Sequence, residues 1–495
     1  MKLYLSGHTD RYALEQLQLC LFPEEPMEFC EKPFRGDGAV SRLSYGKQYL
    51  TASAKITRNG VCTRAVQRLP LEKESYALRR RILQRAYYLA ALPQLPAAPP
   101  WGALSGVRPT KLTTRHLLEG GTAQGADRLL EQSFFVTPAR RQLCVQSSLA
   151  SVEAVKRLIS SDVSVYIGIP FCPTRCSYCS FVSQTEGSTG KLLTPYLEGL
   201  RREIETVGAG MRRAGLTLRT LYIGGGTPTT LSAAQMKLLM ETIRRHFELT
   251  RLIEYTVEAG RPDTIDPEKL AVIHDMGANR VSINPQTMND AVLRAVGRPH
   301  NAADVERAYA QAVAAGFTSI NMDLIAGLPG DDPKSFAQSL DRVLALNPSN
   351  VTVHTLALKK GAELFSHRDA LPPQEAVETM VEQANAVLSG KGYAPYYLYR
   401  QKYMSGSLEN VGWCRDGDLC LYNIYMMEEL TDVLALGGGA VSKRLLPDHR
   451  LERQCNPKYP KQYVERIGEV LAEKNALLEQ LTSSGKAGII KLFIP

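Results

Sequence analysis

Cys172, Cys176 and Cys179 stand directly behind a β-rich run that ends at Ile169-Pro170. Thiolates separated by three and then two residues, on a loop leaving a strand, can face one point, as iron–sulfur ligation requires. A structural zinc site would want a fourth Cys or His nearby, and the candidates are as distant as Cys144 and His246. Three ligands leave one metal position open, and an open position is where chemistry takes place.

Other residues suited to chemistry follow further β-type runs. Gly224-Gly225-Gly226-Thr227-Pro228 ends the second run, so backbone N–H groups there can approach a ligand closely. Glu258 ends the third run, Gln286 follows the fourth, and Asp323 sits in the fifth, ahead of Gly327-Leu-Pro-Gly330. A carboxylate in such a place can also cap the next helix. Glu258 and Asp323 together, beyond the same ends as the thiols, point instead to a shared site, because parallel α/β folds hold ligands there.

The elements that must position these residues alternate regularly. Strand-like runs fall at Val163–Ile169, Leu218–Gly224, Tyr255–Ala259, Arg280–Asn284, Ser319–Ile325 and Asn350–Ala357. Helical stretches fall between them, near Tyr196–Ala214, Ala233–Phe247, Pro267–Asp275, Ala302–Ala315 and Pro333–Ala345. This beat requires a parallel sheet with helices packed on it, and six units are fewer than a closed eight-unit barrel needs. We therefore expect an α/β fold in three parts: an N-terminal basic α+β extension over 1–160, the βα domain over 161–360, and a small C-terminal α+β region over 361–495. In the extension, Ala39–Tyr45 and Gln48–Ile56 read as a hairpin, and Tyr12–Leu21 and Tyr76–Ala91 as helices. Pro138–Ile159 reads as a helix into the βα domain, Tyr396–Arg400 as a strand, and Gln462–Leu481 as one amphipathic helix.

No apolar run approaches the roughly 20 residues of a membrane span, and the polar break in the first residues argues against a signal peptide. Ten cysteines over 495 residues, three of them clustered, make no disulfide framework. The expectation is a cytoplasmic protein with no membrane partner. Charge is uneven: residues 1–160 hold 23 Lys and Arg against 13 Asp and Glu, and the remainder 36 against 37. A basic module favours a polyanion, either nucleic acid or a small polycarboxylate.

CxxxCxxC behind a short strand resembles the radical S-adenosylmethionine (radical SAM) enzymes. Tyr166-Ile-Gly-Ile-Pro-Phe-Cys172 is similar to the oxygen-independent coproporphyrinogen III oxidase group, and the long N-terminal extension looks most like its HemZ type. The resemblance implies a partial (βα)6 radical SAM barrel with a 4Fe–4S cluster on Cys172, Cys176 and Cys179. It implies SAM against Tyr166, Tyr178, Gly225 and Glu258, with Tyr166 and Glu258 serving catalysis. Gly226, Thr227, Gln286, Arg298, Asp323 and Ala357 match positions that contact a second SAM.

The implied reaction is oxidative decarboxylation of porphyrinogen propionates to vinyl groups, with electrons from a reductase or a flavodoxin or ferredoxin. The chain departs from the group's patterns at Phe181, where the oxidase has a fourth Cys, and at Gly168, where a His is usual. Tyr422-Asn-Ile-Tyr-Met-Met427 replaces a His-led segment of the haem-chaperone (HemW) branch, and Gly437-Gly-Gly-Ala-Val-Ser442 replaces another. The competing expectations are haem delivery and, ranked last, modification of RNA. Arg79, Arg80, Arg81, Arg85 and Arg108 are expected to help the extension close over the barrel mouth and grip propionates.

Overall fold

The computed structural model describes residues 1–483 apart from 182, 185, 368–369, 402–403 and 447–449. It divides into two compact units, Met1–Val145 with Gly406–Leu408, and Gln146–Ser405 with Glu409 onward.

The first unit is built on a five-stranded sheet. Its strands are β1 (Lys2–Ser6), β2 (Glu28–Cys30), β3 (Gly38–Tyr45), β4 (Tyr49–Arg58) and β5 (Val61–Pro70), in the order β2-β1-β3-β4-β5. The expected hairpin is β3–β4, closed where the Gly46 N–H donates to the Tyr49 carbonyl at 2.9 Å. Along β4, Leu50, Ala52, Ala54 and Ile56 are buried while Lys55 is exposed. That alternation sets one face under the helices Arg11–Leu21 and Tyr76–Ala91, whose Leu14, Leu17, Leu83 and Tyr87 complete the core. β5 was not foreseen, because its Thr63, Ala65 and Gln67 give a weak apolar alternation.

The second unit carries one eleven-stranded sheet. Its six parallel βα strands are β6 (Asp162–Ile169), β7 (Thr217–Gly225), β8 (Glu254–Gly260), β9 (Arg280–Ile283), β10 (Ser319–Ala326) and β11 (Asn350–Thr355). They lie side by side in chain order, as in an open, partial barrel. Five later strands extend this same sheet. β12 (Ala394–Tyr399) and β13 (Asn410–Cys414) join antiparallel beyond β11, while β14 (Asp432–Leu436) runs parallel to β6 and is followed by β15 (Val441–Leu445) and β16 (Leu451–Cys455). The C-terminal helix expected as one piece is two, Pro460–Glu465 and Ile467–Ser483, interrupted at Arg466.

Alternation along the parallel strands separates two environments. Val165, Ile167, Leu221, Ile223, Val257, Val281, Leu324 and Val353 are buried on one face. The other face is polar or aromatic: Tyr166, Tyr222, Glu254, Glu258, Arg280, Ser282, Asn321, Asp323, Asn350 and Thr352 all fall on it by their positions two residues apart. Polar side chains at this density are tolerated when they bond one another. Asn321 donates to Ser282 Oγ at 2.9 Å, and Thr352 donates to Asn321 Oδ1 at 3.1 Å.

Candidate active site

β6 ends at Ile169 and the cysteine loop turns back at once. The Cys172 N–H donates to the Gln184 carbonyl and the Gln184 N–H to the Pro170 carbonyl, each at 3.0 Å. Cys179 N–H reaches the Cys176 carbonyl at 3.1 Å, closing a tight turn around Tyr178. Burial pushes the Cys179 thiol above its usual range, and the neighbouring Cys176 and Cys172 add to the shift. Phe181, at the oxidase's fourth Cys position, is 64% exposed.

A brace that the sequence did not disclose holds this loop from below. Arg261, just past β8, is 3% exposed and donates to Thr174 Oγ1 at 2.8 Å and to the Thr174 carbonyl at 3.2 Å. Its other nitrogens bind both oxygens of Asp263 at 3.1 Å, and Asp263 Oδ1 lies 3.2 Å from His300 Nδ1. Ser177 N–H is fixed separately by the Val296 carbonyl at 3.1 Å.

The glycine run comes within reach of the cysteines. A Cβ on Gly226 would lie 2.5 Å from the Phe171 carbonyl and 3.0 Å from Cys172 Sγ, so only glycine fits. Thr227 Oγ1 lies 3.4 Å from Cys172 Sγ. Gly225 has φ +116°, a conformation natural to glycine, and its N–H points at Glu258 Oε2 at 3.3 Å. Glu258 Oε1 accepts from the Tyr222 hydroxyl at 2.6 Å. Burial, reinforced by the Asp323 charge, raises the Glu258 carboxyl to about 7, against the Tyr222 and Gly225 hydrogen bonds that lower it. Asp323 is shifted the opposite way: His354, 3.6 Å away, and Asn321 outweigh the effect of burial and hold it below the usual range.

Tyr166, Tyr222 and Tyr422 form a stack, with ring centroids 6.2 Å apart from Tyr166 to Tyr222 and 4.7 Å from Tyr222 to Tyr422. Tyr222 and His354 escaped the sequence reading, which marks Tyr422 only as standing in place of a chaperone His. Strand pairing supplies the missing signal for Tyr222, since it sits in register with Tyr166.

Gln286 and Arg298 complete the lining. Gln286 is held at φ +69° between the Asp323 carbonyl and the Ile325 N–H. A left-handed non-glycine residue is strained, and such strain gathers at ligand sites. Arg298 donates to the Asn284 carbonyl at 2.7 Å, and its guanidinium lies against Tyr178 and Cys176. Gln286 Oε1 and Arg298 Nε are buried with no hydrogen-bond partner among the described residues. Ala357 bridges to Met404, apart from these bonds.

Among the described residues the three thiols are not drawn into a ready metal cage. The surroundings nevertheless suit a cluster and a polar ligand: mutually sensed thiols, a glycine cradle that a Cβ would fill, and two orphaned polar atoms beside it.

Comparison with known proteins agrees. The radical SAM superfamily description matches residues 166–343. The oxygen-independent coproporphyrinogen-III oxidase-like protein HemZ of Bacillus subtilis is 36% identical over 94% of this chain and 93% of its own. The heme chaperone HemW of Mycobacterium tuberculosis is 32% identical over 52% of this chain and 64% of its own. Among solved structures, coproporphyrinogen III oxidase (HemN) of Escherichia coli superposes with a TM-score of 0.50 at 27% identity, over 66% of this chain and 73% of its own. The cofactors are accordingly a 4Fe–4S cluster and SAM, and the chain belongs to the radical SAM superfamily, among the HemZ-type coproporphyrinogen-III oxidase-like proteins.

Proposed function

We propose that the chain is an oxygen-independent coproporphyrinogen III dehydrogenase of porphyrin and haem biosynthesis, acting in the cytoplasm. Each of two propionates loses a hydrogen atom from its β-carbon to the 5′-deoxyadenosyl radical, then CO2 and one electron to an external electron acceptor, leaving vinyl groups and protoporphyrinogen IX. The near full-length likeness to the HemZ-type protein supports this substrate class. The observation that carries the chemistry is the meeting of the cysteine loop, the Gly224–Gly226 turn and Glu258 at one end of the sheet.

In this reading Cys172, Cys176 and Cys179 hold the cluster. When bound, the cluster and SAM supply a 5′-deoxyadenosyl radical. Glu258 accepts hydrogen bonds from the SAM amino acid or ribose, and the Gly225 and Gly226 backbone leaves the room for it. Tyr166 and Tyr178 pack against SAM, while Gln286 and Arg298 turn their unpaired atoms to the second SAM position. Thr227, Asp323 and Ala357 complete the second SAM position. The remaining partners are the porphyrinogen and an electron donor, a reductase or a flavodoxin or ferredoxin.

Haem delivery is the second reading, favoured by the likeness to heme chaperones. Tyr422, buried in the tyrosine stack where that branch carries a His, offers iron no imidazole. Anaerobic incubation of the cluster-loaded chain with coproporphyrinogen III, SAM and reductant decides between them. Protoporphyrinogen IX with matching 5′-deoxyadenosine supports the dehydrogenase. Stoichiometric haem binding without consumption of SAM selects delivery.

A further inference from the structure

The barrel's chemistry makes no use of the charge excess in the first unit, and the structure sorts that excess into two sets. The helix arginines expected to grip propionates are already engaged within their own unit. Arg79 and Arg80 lie 3.9 and 4.0 Å from the Asp10 carboxylate and over the Tyr76 ring. Arg81 covers Phe134, and Arg85 covers Phe135 while bonding Gln67 and the Gln132 carbonyl.

A second set is uncommitted. On the five-stranded sheet, the face opposite the buried Leu50, Ala52, Ala54 and Ile56 carries Lys2, Arg42, Lys55, Arg64 and Arg68, all exposed. Glu28, beside Lys2, is the one acid on that face among the described residues. None of these five cations makes an ion pair or side-chain hydrogen bond among the described residues. The ladder sets Lys55 directly opposite Arg64, an arrangement that costs stability until an anion lies between them. Hydroxyls of Ser44, Thr51, Ser53 and Thr57 stand among the cations on the same face. At its end, Lys47, Gln48, Tyr49, Thr51 and Arg68 line a shallow hollow of about 410 Å³.

We propose that this sheet face binds the phosphodiester backbone of a single-stranded nucleic acid. Arg64 and Arg68 stand four residues, about 13 Å, apart along β5, and Lys55 faces Arg64 across about 5 Å between strands, with Arg42 and Lys2 further across the sheet; charge spread over this span meets a chain of anions rather than one carboxylate. Ser and Thr hydroxyls donate to phosphate oxygens without reading sequence. A bilayer surface is less well matched, because the large apolar side chains exposed on this face, Val66 and Tyr49, are set apart on a sheet with no helix face to insert. The proposal stands apart from the barrel reaction and can fail without it.

The test uses the full, cluster-loaded chain and labelled oligouridine of about 20 nucleotides, with oligodeoxythymidine and phosphatidylserine vesicles as parallel arms. Binding is read by fluorescence anisotropy, or by sedimentation for vesicles, across increasing KCl. The wild type is expected to bind an oligonucleotide with a log–log salt slope steeper than about −2, as several phosphate contacts require. The two oligonucleotides rank RNA against DNA. K55E/R64E/R68E is expected to weaken binding at least tenfold and flatten the slope by about 2, with SAM cleavage unchanged. K55Q/R64Q/R68Q gives a smaller loss in the same direction should the reversal fail to fold. No salt-dependent oligonucleotide binding, equal binding by both variants, or binding to vesicles alone overturns the proposal.

Discussion

Strand β8 carries two carboxylates, Glu254 buried and Glu258 half-buried, and the two are held differently. Glu254, at the N-terminal end, accepts from the Leu421 N–H at 2.6 Å, the Tyr422 N–H at 2.9 Å and the Cys420 thiol at 3.5 Å. Arg280 lies 3.8 Å away and is itself bound to Asp418 and Asn350. Glu258, four residues on, has Tyr222 and Gly225 for donors and Asp323, not an arginine, for a charged neighbour. Burial raises both carboxyls. Surplus donors and a counter-ion make the first a fixed joint that caps the helix Leu421–Glu428 and seats Tyr422 in the stack. Sparse donors and a like charge leave the second responsive near neutral pH. One strand thus holds a fixed carboxylate and a responsive one four residues apart.

The contrast can be broken at its chemical end first. Cys176→Ala should abolish the cluster altogether, since two thiolates cannot hold the cube; iron content and visible absorption after anaerobic reconstitution check it. Full iron in that variant would remove the chemical end of the sheet from the comparison. Glu258→Ala should keep its iron and cut 5′-deoxyadenosine formation about 100-fold or more, as misplaced ligands do. Undiminished cleavage would make Glu258 a second structural joint.

At the other end, Glu254→Ala leaves Arg280 short of a carboxylate and the helix N-terminus uncapped. The expected loss is about 3 kcal/mol or more in denaturant unfolding, as for other broken buried pairs. A neutral result would show Asp418 to suffice. The smallest effect concerns protons. With the Glu258 carboxyl raised above its unfolded value to about 7, the SAM-free fold loses stability as pH rises from about 4.5 to 7, because only the unfolded chain ionises there. Glu258→Gln should flatten that slope. Tyr222→Phe removes a bond that lowers the carboxyl, and so should move the acid limb of SAM cleavage upward by up to about one pH unit.

The parallel strands were legible because period-two apolar runs and intervening amphipathic helices state them locally. The strand-end residues were legible because Gly224, Glu258 and Asp323 each follow such a run. Tyr222 comes beside Tyr166 only through pairing of β6 with β7, and Tyr422 joins them only where the helix Leu421–Glu428 docks on Glu254, which no local pattern encodes. Arg261 reads as an ordinary loop cation until Thr174 comes beside it, 87 residues away in the chain. Of the C-terminal strands only Tyr396–Arg400 reads as one locally, and no local pattern states that it and its short neighbours such as Val441–Leu445 join the βα sheet.

The partnership of β6 with β14 also has a timetable. β6 ends at Ile169 and its outer neighbour begins at Asp432, so the two edges cannot meet until most of the chain has been made. At about 5–20 residues per second, that interval is roughly 13–50 s on the ribosome. Throughout it the strand that leads into the cysteine loop has one open edge. The edge that β14 finally covers is therefore a template for stray strands for as long as the rest of the chain is being made.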